Sequence, residues 1–94
     1  MKIIWTKNSE LTFYEIIDYI ENKFGFLIAK KYYLDVFETI EAIEVNPELF
    51  PVYQPQTQTR KAVINKKTIL YYKVTDYDIA LLAFYDVRKG IHKL

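Results

Sequence analysis

A chain of 94 residues with no cysteine and a net charge of +1 is one domain and not a disulfide scaffold, and its overall charge points to no particular partner. With 51% apolar and 17% aromatic residues it carries enough core-forming volume to exclude disorder, which needs low hydrophobicity and a large net charge. No apolar run reaches the roughly 20 residues of a membrane span, and Thr6-Lys7-Asn8-Ser9-Glu10 interrupts the opening Lys2-Ile3-Ile4-Trp5 before a signal-peptide core can form. The expectation is a soluble, cytoplasmic protein with residues 1–94 as a single domain.

In chain order, Lys2 to Trp5 reads as a first strand, short and β-prone. Asn8 or Ser9 then offers a helix N-cap, with Glu10 and Glu15 suited to the positive helix end. Leu11, Tyr14, Ile17 and Ile20, widened by Phe13, Ile16 and Phe24, predict an amphipathic helix running to about Asn22 or Lys23, with Gly25 as its stop. A second helix from about Phe26 to Val45 carries an inner stripe of Ala29, Tyr33, Val36, Ile40 and Ile43 and closes at Asn46-Pro47. Residues 46–59 hold all three prolines and read as a loop, long enough to be a candidate for function. Three strand-like runs follow: Thr59 to Ile64, Lys67 to Val74 and Ile79 to Val87, joined by turns at Asn65-Lys66 and Thr75-Asp76-Tyr77-Asp78. Short connections make these three antiparallel neighbours. The order β-α-α-β-β-β predicts an α+β fold, a helical hairpin on one face of a mainly antiparallel sheet, with the other face free.

Charge is unevenly spread along this order. Residues 1–59 hold five Lys/Arg against nine Asp/Glu, and residues 60–94 hold eight against three. The acidic helical half and basic strand half suggest a charged working face, although two solvated surfaces of opposite sign would look the same by charge alone. Arg60, Lys61, Lys73 and Arg88, together with Tyr71, are candidates to line the free sheet face, where cations would meet phosphate and rings would stack on bases. On the last run, strict alternation places Ala80, Leu82, Phe84, Asp86 and Arg88 on one face. The plainer alternative pairs Arg88 with Asp86. His92, the only histidine, is a candidate proton carrier. A lone histidine without cysteine offers no metal site of the Cys/His kind, there is no glycine-rich phosphate loop, and no cofactor is expected.

The pattern of these segments resembles the RelE/ParE family of type II toxin–antitoxin toxins, often labelled plasmid stabilization proteins. The resemblance rests on Trp5 after a short first strand, the helical hairpin ending in Asn46-Pro47-Glu48-Leu49, Thr59-Arg60-Lys61 opening a strand, and Ile69-Leu70-Tyr71-Tyr72-Lys73-Val74 followed by an acidic turn and Ile79 to Arg88. It implies a growth-inhibiting toxin neutralised by a cognate antitoxin, within a higher-order toxin–antitoxin complex. RelE-like members are metal-independent endoribonucleases that cut mRNA on the ribosome, whereas ParE-like members inhibit DNA gyrase without that catalytic set. A toxin-like domain that only binds protein is the alternative.

Under the ribonuclease reading the resemblance implies Arg60 and Arg88 as phosphate stabilisers and His92 as proton carrier. Lys61, Tyr71, Lys73 and Lys89 would bind RNA or another target, and Arg88→Ala would abolish cutting while leaving the fold intact. Two departures stand out. Ile69 occupies a position where RNA-cutting members often carry arginine, and no tyrosine follows Arg88.

Overall fold

The computed structural model of the chain describes residues 1–89. Strand β1 (Lys2–Trp5) leads into helices α1 (Lys7–Phe24) and α2 (Phe26–Val45), then strands β2 (Val52–Gln54), β3 (Thr59–Ile64), β4 (Thr68–Val74) and β5 (Asp78–Asp86), and a single 3₁₀ turn at Val87–Lys89. The sheet order is β1-β5-β4-β3-β2. β1 runs parallel to β5, and every other pair is antiparallel. The parallel pair is possible because the helical hairpin supplies the long crossover that parallel neighbours need. The α+β expectation holds. The segment 46–59 departs from it: Val52–Gln54 forms a fifth strand, an exposed edge on β3. It is too short and too rich in proline and glutamine to read as a strand from its composition.

The helices pack on the sheet through stripes that differ from those expected. On α1 the buried positions are Ser9, Phe13, Ile16 and Ile20, while Leu11 and Tyr14 are exposed. A strict three-residue spacing drifts around a helix of 3.6 residues per turn, whereas spacings of four, three and four hold one face. The α1 cap is Thr6, whose Oγ1 accepts from the Ser9 amide at 3.1 Å and donates to the Leu81 carbonyl at 2.7 Å, tying the helix start to β5. Gly25 ends α1 at φ +95°, a conformation that side chains rarely adopt. On α2 the stripe is Ala29, Tyr32, Val36, Ile40 and Ile43; Tyr32 rather than Tyr33 faces inward. Trp5, Phe13, Tyr32 and Phe84 form the aromatic centre of the core, with neighbouring ring centroids 5.5–5.6 Å apart.

A bulge in β5 decides which residues face the helices. Tyr72 pairs with Leu81 and Tyr71 with Ala83, so Leu82 is an extra residue. Its carbonyl accepts from the Asn8 amide group at 3.2 Å, and the Phe84 N–H donates to Thr12 Oγ1 at 2.9 Å. The backbone groups released from the ladder are thus satisfied from α1. Alternation changes phase at the bulge: Ile79 and Leu81, then Phe84 and Asp86, are the buried set. The expected single face of Ala80, Leu82, Phe84 and Asp86 is therefore divided between the two sides.

Candidate functional site

Register assigns each candidate side chain to a face. Arg60 pairs with Tyr72, Ala62 with Leu70 and Ile64 with Thr68; Leu70, Tyr72 and Thr68 are buried beneath the helices. Lys61 pairs with Tyr71, and Lys73 with Thr59 and Ala80, on the opposite face. The expected grouping of Arg60, Lys61, Tyr71, Lys73 and Arg88 on one face therefore separates. Lys61, Tyr71 and Lys73 share the outer face, while Arg60 and Arg88 belong to the helix side. A strand turns successive side chains to opposite faces, so the neighbours Arg60 and Lys61 cannot both line one.

On the outer face the Tyr53 ring lies 5.4 Å from the Tyr71 ring, and Lys61 Nζ stands 5.2 Å from the Tyr53 centroid, within cation–π reach. Burial, then the neighbouring Tyr53 and Tyr85 phenols, push the Tyr71 hydroxyl above its ordinary pKa, so it is a neutral donor at physiological pH. Ile69 pairs with Tyr85 and Val63 on this same face. Among the described residues no ion pair engages Lys61 or Lys73. This surface presents two cations and three tyrosines to the outside. Tyr53 and Tyr85 join it without having been singled out from sequence. For Tyr53 the missed signal is its place in a strand too short to show alternation.

Arg60 is a brace. Its Nη1 donates to the Phe50 carbonyl at 2.7 Å and to that of Glu48 at 3.5 Å, and Nη2 lies 3.8 Å from the exposed Glu48 carboxylate. Tyr72 Oη donates to Pro47 O at 2.9 Å beside it. Together they pin the segment after α2 onto the sheet.

Arg88 is a lock of a different kind. Its Nε and Nη2 donate to the two oxygens of Asp86 at 2.9 and 2.8 Å, its backbone N–H donates to Oδ1 at 2.9 Å, and Thr68 Oγ1 donates to Oδ2 at 2.6 Å. Asp86 is fully buried. Burial alone would raise its pKa; the hydrogen bonds from Arg88 and Thr68 outweigh that and hold the carboxyl below the usual range. The plainer alternative for Arg88 is the one observed. About 14 Å of strand separates the row of Arg60 from that of Asp86, so the two arginines do not converge on one phosphate. Lys89 Nζ lies 3.6 Å from Glu15 of α1, away from the outer face. His92 lies outside the described residues. Among those described, no group of three His, Cys, Asp or Glu is placed to hold a metal ion.

Known proteins agree with this architecture. The family described as "ParE toxin of type II toxin-antitoxin system, parDE" matches residues 3–90. A solved structure of the chromosomal ParDE toxin–antitoxin system from P. aeruginosa superimposes with a TM-score of 0.77, covering 93% of this chain and 96% of that one at 19% identity. That likeness establishes the shared fold. No curated protein matches the chain.

Proposed function

Because this chain belongs to the ParE toxin family of type II toxin–antitoxin systems, we propose that it arrests growth by binding DNA gyrase through its outer sheet face, without cutting mRNA, and that a cognate antitoxin neutralises it in the cytoplasm. The observation that carries this reading is the fate of the two arginines. Cutting RNA without a metal requires cations that converge on one phosphate, with a proton carrier beside them. Arg60 and Arg88 are spent on internal contacts at opposite ends of the sheet. Ile69, where RNA-cutting relatives often carry arginine, makes the outer face apolar at that point. Lys61, Lys73 and Tyr71 suit recognition instead: two cations without ion-pair partners among the described residues, and a ring that gives contact area at low entropic cost. The basic surface also favours an antitoxin segment of opposite charge.

The test is expression of the chain alone, followed by purified protein in two reactions. Growth arrest with loss of DNA supercoiling and intact mRNA is expected. Ribosome-dependent mRNA cutting with normal supercoiling would overturn the gyrase reading, and harmless expression would leave only a protein-binding role.

A further inference from the structure

A cleft of about 370 Å³ opens at the Arg88 end of the sheet, between α2 and the β3–β4 turn, and its size falls in the range of small-molecule sites. Ile28 and Ile64 contribute apolar wall, Lys31, Lys67 and Arg88 contribute three cations, and Asp35 is the single carboxylate among the lining residues. Asp35 is already engaged, by Lys31 at 3.0 Å and by the Asn65 amide.

Tyr32 supplies the independent sign that something is meant to bind. The residue is 3% exposed, and its hydroxyl has no hydrogen-bond partner among the described residues. A buried phenol normally finds one, because an unmade hydrogen bond costs the full desolvation of the group. The hydroxyl senses Asp86 and Arg88, and the Arg88 guanidinium sits 6.0 Å over its ring, which places it at the floor of the cleft. Asp86 is committed to Arg88 and Thr68. Burial, then the Asp86 charge, hold the phenol far above its ordinary pKa, so it remains a donor. What the site lacks is an acceptor, and Lys67, the one lining cation with no ion pair among the described residues, favours an anionic one.

We infer that this cleft binds a small oxyanion, a phosphate or carboxylate group that accepts from the Tyr32 hydroxyl and is held by Lys67, with the non-polar part of the ligand against Ile28 and Ile64. The site lies on the helix side of the sheet and is separate from the proposed target face, so it stands or falls independently of the gyrase reading.

The full chain, labelled with ¹⁵N, is titrated with inorganic phosphate and separately with acetate at constant ionic strength. The expected result is saturable movement of the amide signals around Tyr32, Asn65 and Lys67 with one of the two anions, which also identifies the preferred head group. Tyr32→Phe weakens that binding at least fivefold without lowering Tm, and Lys67→Ala, at an exposed position, weakens it with the fold unchanged. Shifts that grow linearly with concentration for both anions overturn the site. So does binding of equal strength in wild type and Tyr32→Phe, which would reduce it to surface lysines.

Discussion

The two faces of the sheet use the same residue types in opposite ways. Beneath the helices, Arg60 and Arg88 have their hydrogen bonds directed inward, to backbone carbonyls in one case and to a buried carboxylate in the other. On the outer face, Lys61 and Lys73 stand beside tyrosines with no ion-pair partner among the described residues. A cation that is already satisfied contributes to folding; a cation left solvated is available to a partner. The difference shows that being basic is a poor guide to function until the register is known.

Arg88→Ala should produce the largest effect. It strands the Asp86 carboxylate without its cation in a fully buried position, and removing one partner of a buried pair costs about 3–5 kcal/mol. Urea denaturation should show this as a lower midpoint with little change in slope. Loss of toxicity in that variant would thus report lost folding, contrary to the expectation drawn from the family resemblance that the fold survives. An Arg88→Ala protein with wild-type stability would break the contrast between the faces.

The same lock has a pH signature. Asp86 binds its proton more weakly folded than unfolded. Its stabilising contribution is therefore complete above the ordinary carboxylate pKa of 3.8 and is lost as pH falls below that value toward the lowered one. Denaturation midpoints measured from pH 6 down to 2.5 should fall more steeply in wild type than in Asp86→Asn.

Arg60→Ala should cost less, about 1–3 kcal/mol, because it leaves backbone carbonyls rather than a charge unpaired. Its effect should concentrate in faster amide exchange of Glu48, Leu49, Phe50 and Val52. Lys66→Gly should act in the other direction. Asn65 and Lys66 both adopt positive φ, 52° and 63°, in the left-handed region that glycine occupies at no steric cost, and relieving lysine of it should gain about 1 kcal/mol. Smallest of all, Lys61→Ala and Lys73→Ala should each change stability by less than about 0.5 kcal/mol.

Much of the fold was legible before the structure. β1, α2 and β3 match their expected bounds: α2 lies between Gly25 and Pro47, β3 stops at the Asn65-Lys66 turn, and β1 gives way to the polar run from Thr6. The site was less legible, for two physical reasons. The bulge at Leu82 reverses the alternation of β5, and what stabilises it is a set of α1 side chains more than 70 positions away. The choice between Tyr32 and Tyr33 as the inward residue is a rotation of α2 by one position, and both are aromatic, so hydrophobic pattern alone does not distinguish them. The pairing of Arg88 with Asp86 was foreseeable as an alternative, because the two are close in sequence. The bracing of Arg60 by Phe50 was not, because it depends on how the segment after α2 folds back.

If the outer face acts on the target while the arginines hold the fold, reversing the charge of that face should remove inhibition and spare stability. The most direct test is Lys61→Glu/Lys73→Glu protein in a DNA supercoiling assay beside wild type, with thermal melts of both. At least a tenfold loss of inhibition is expected, with Tm within a few degrees of wild type. Full inhibition by the charge-reversed protein would contradict it.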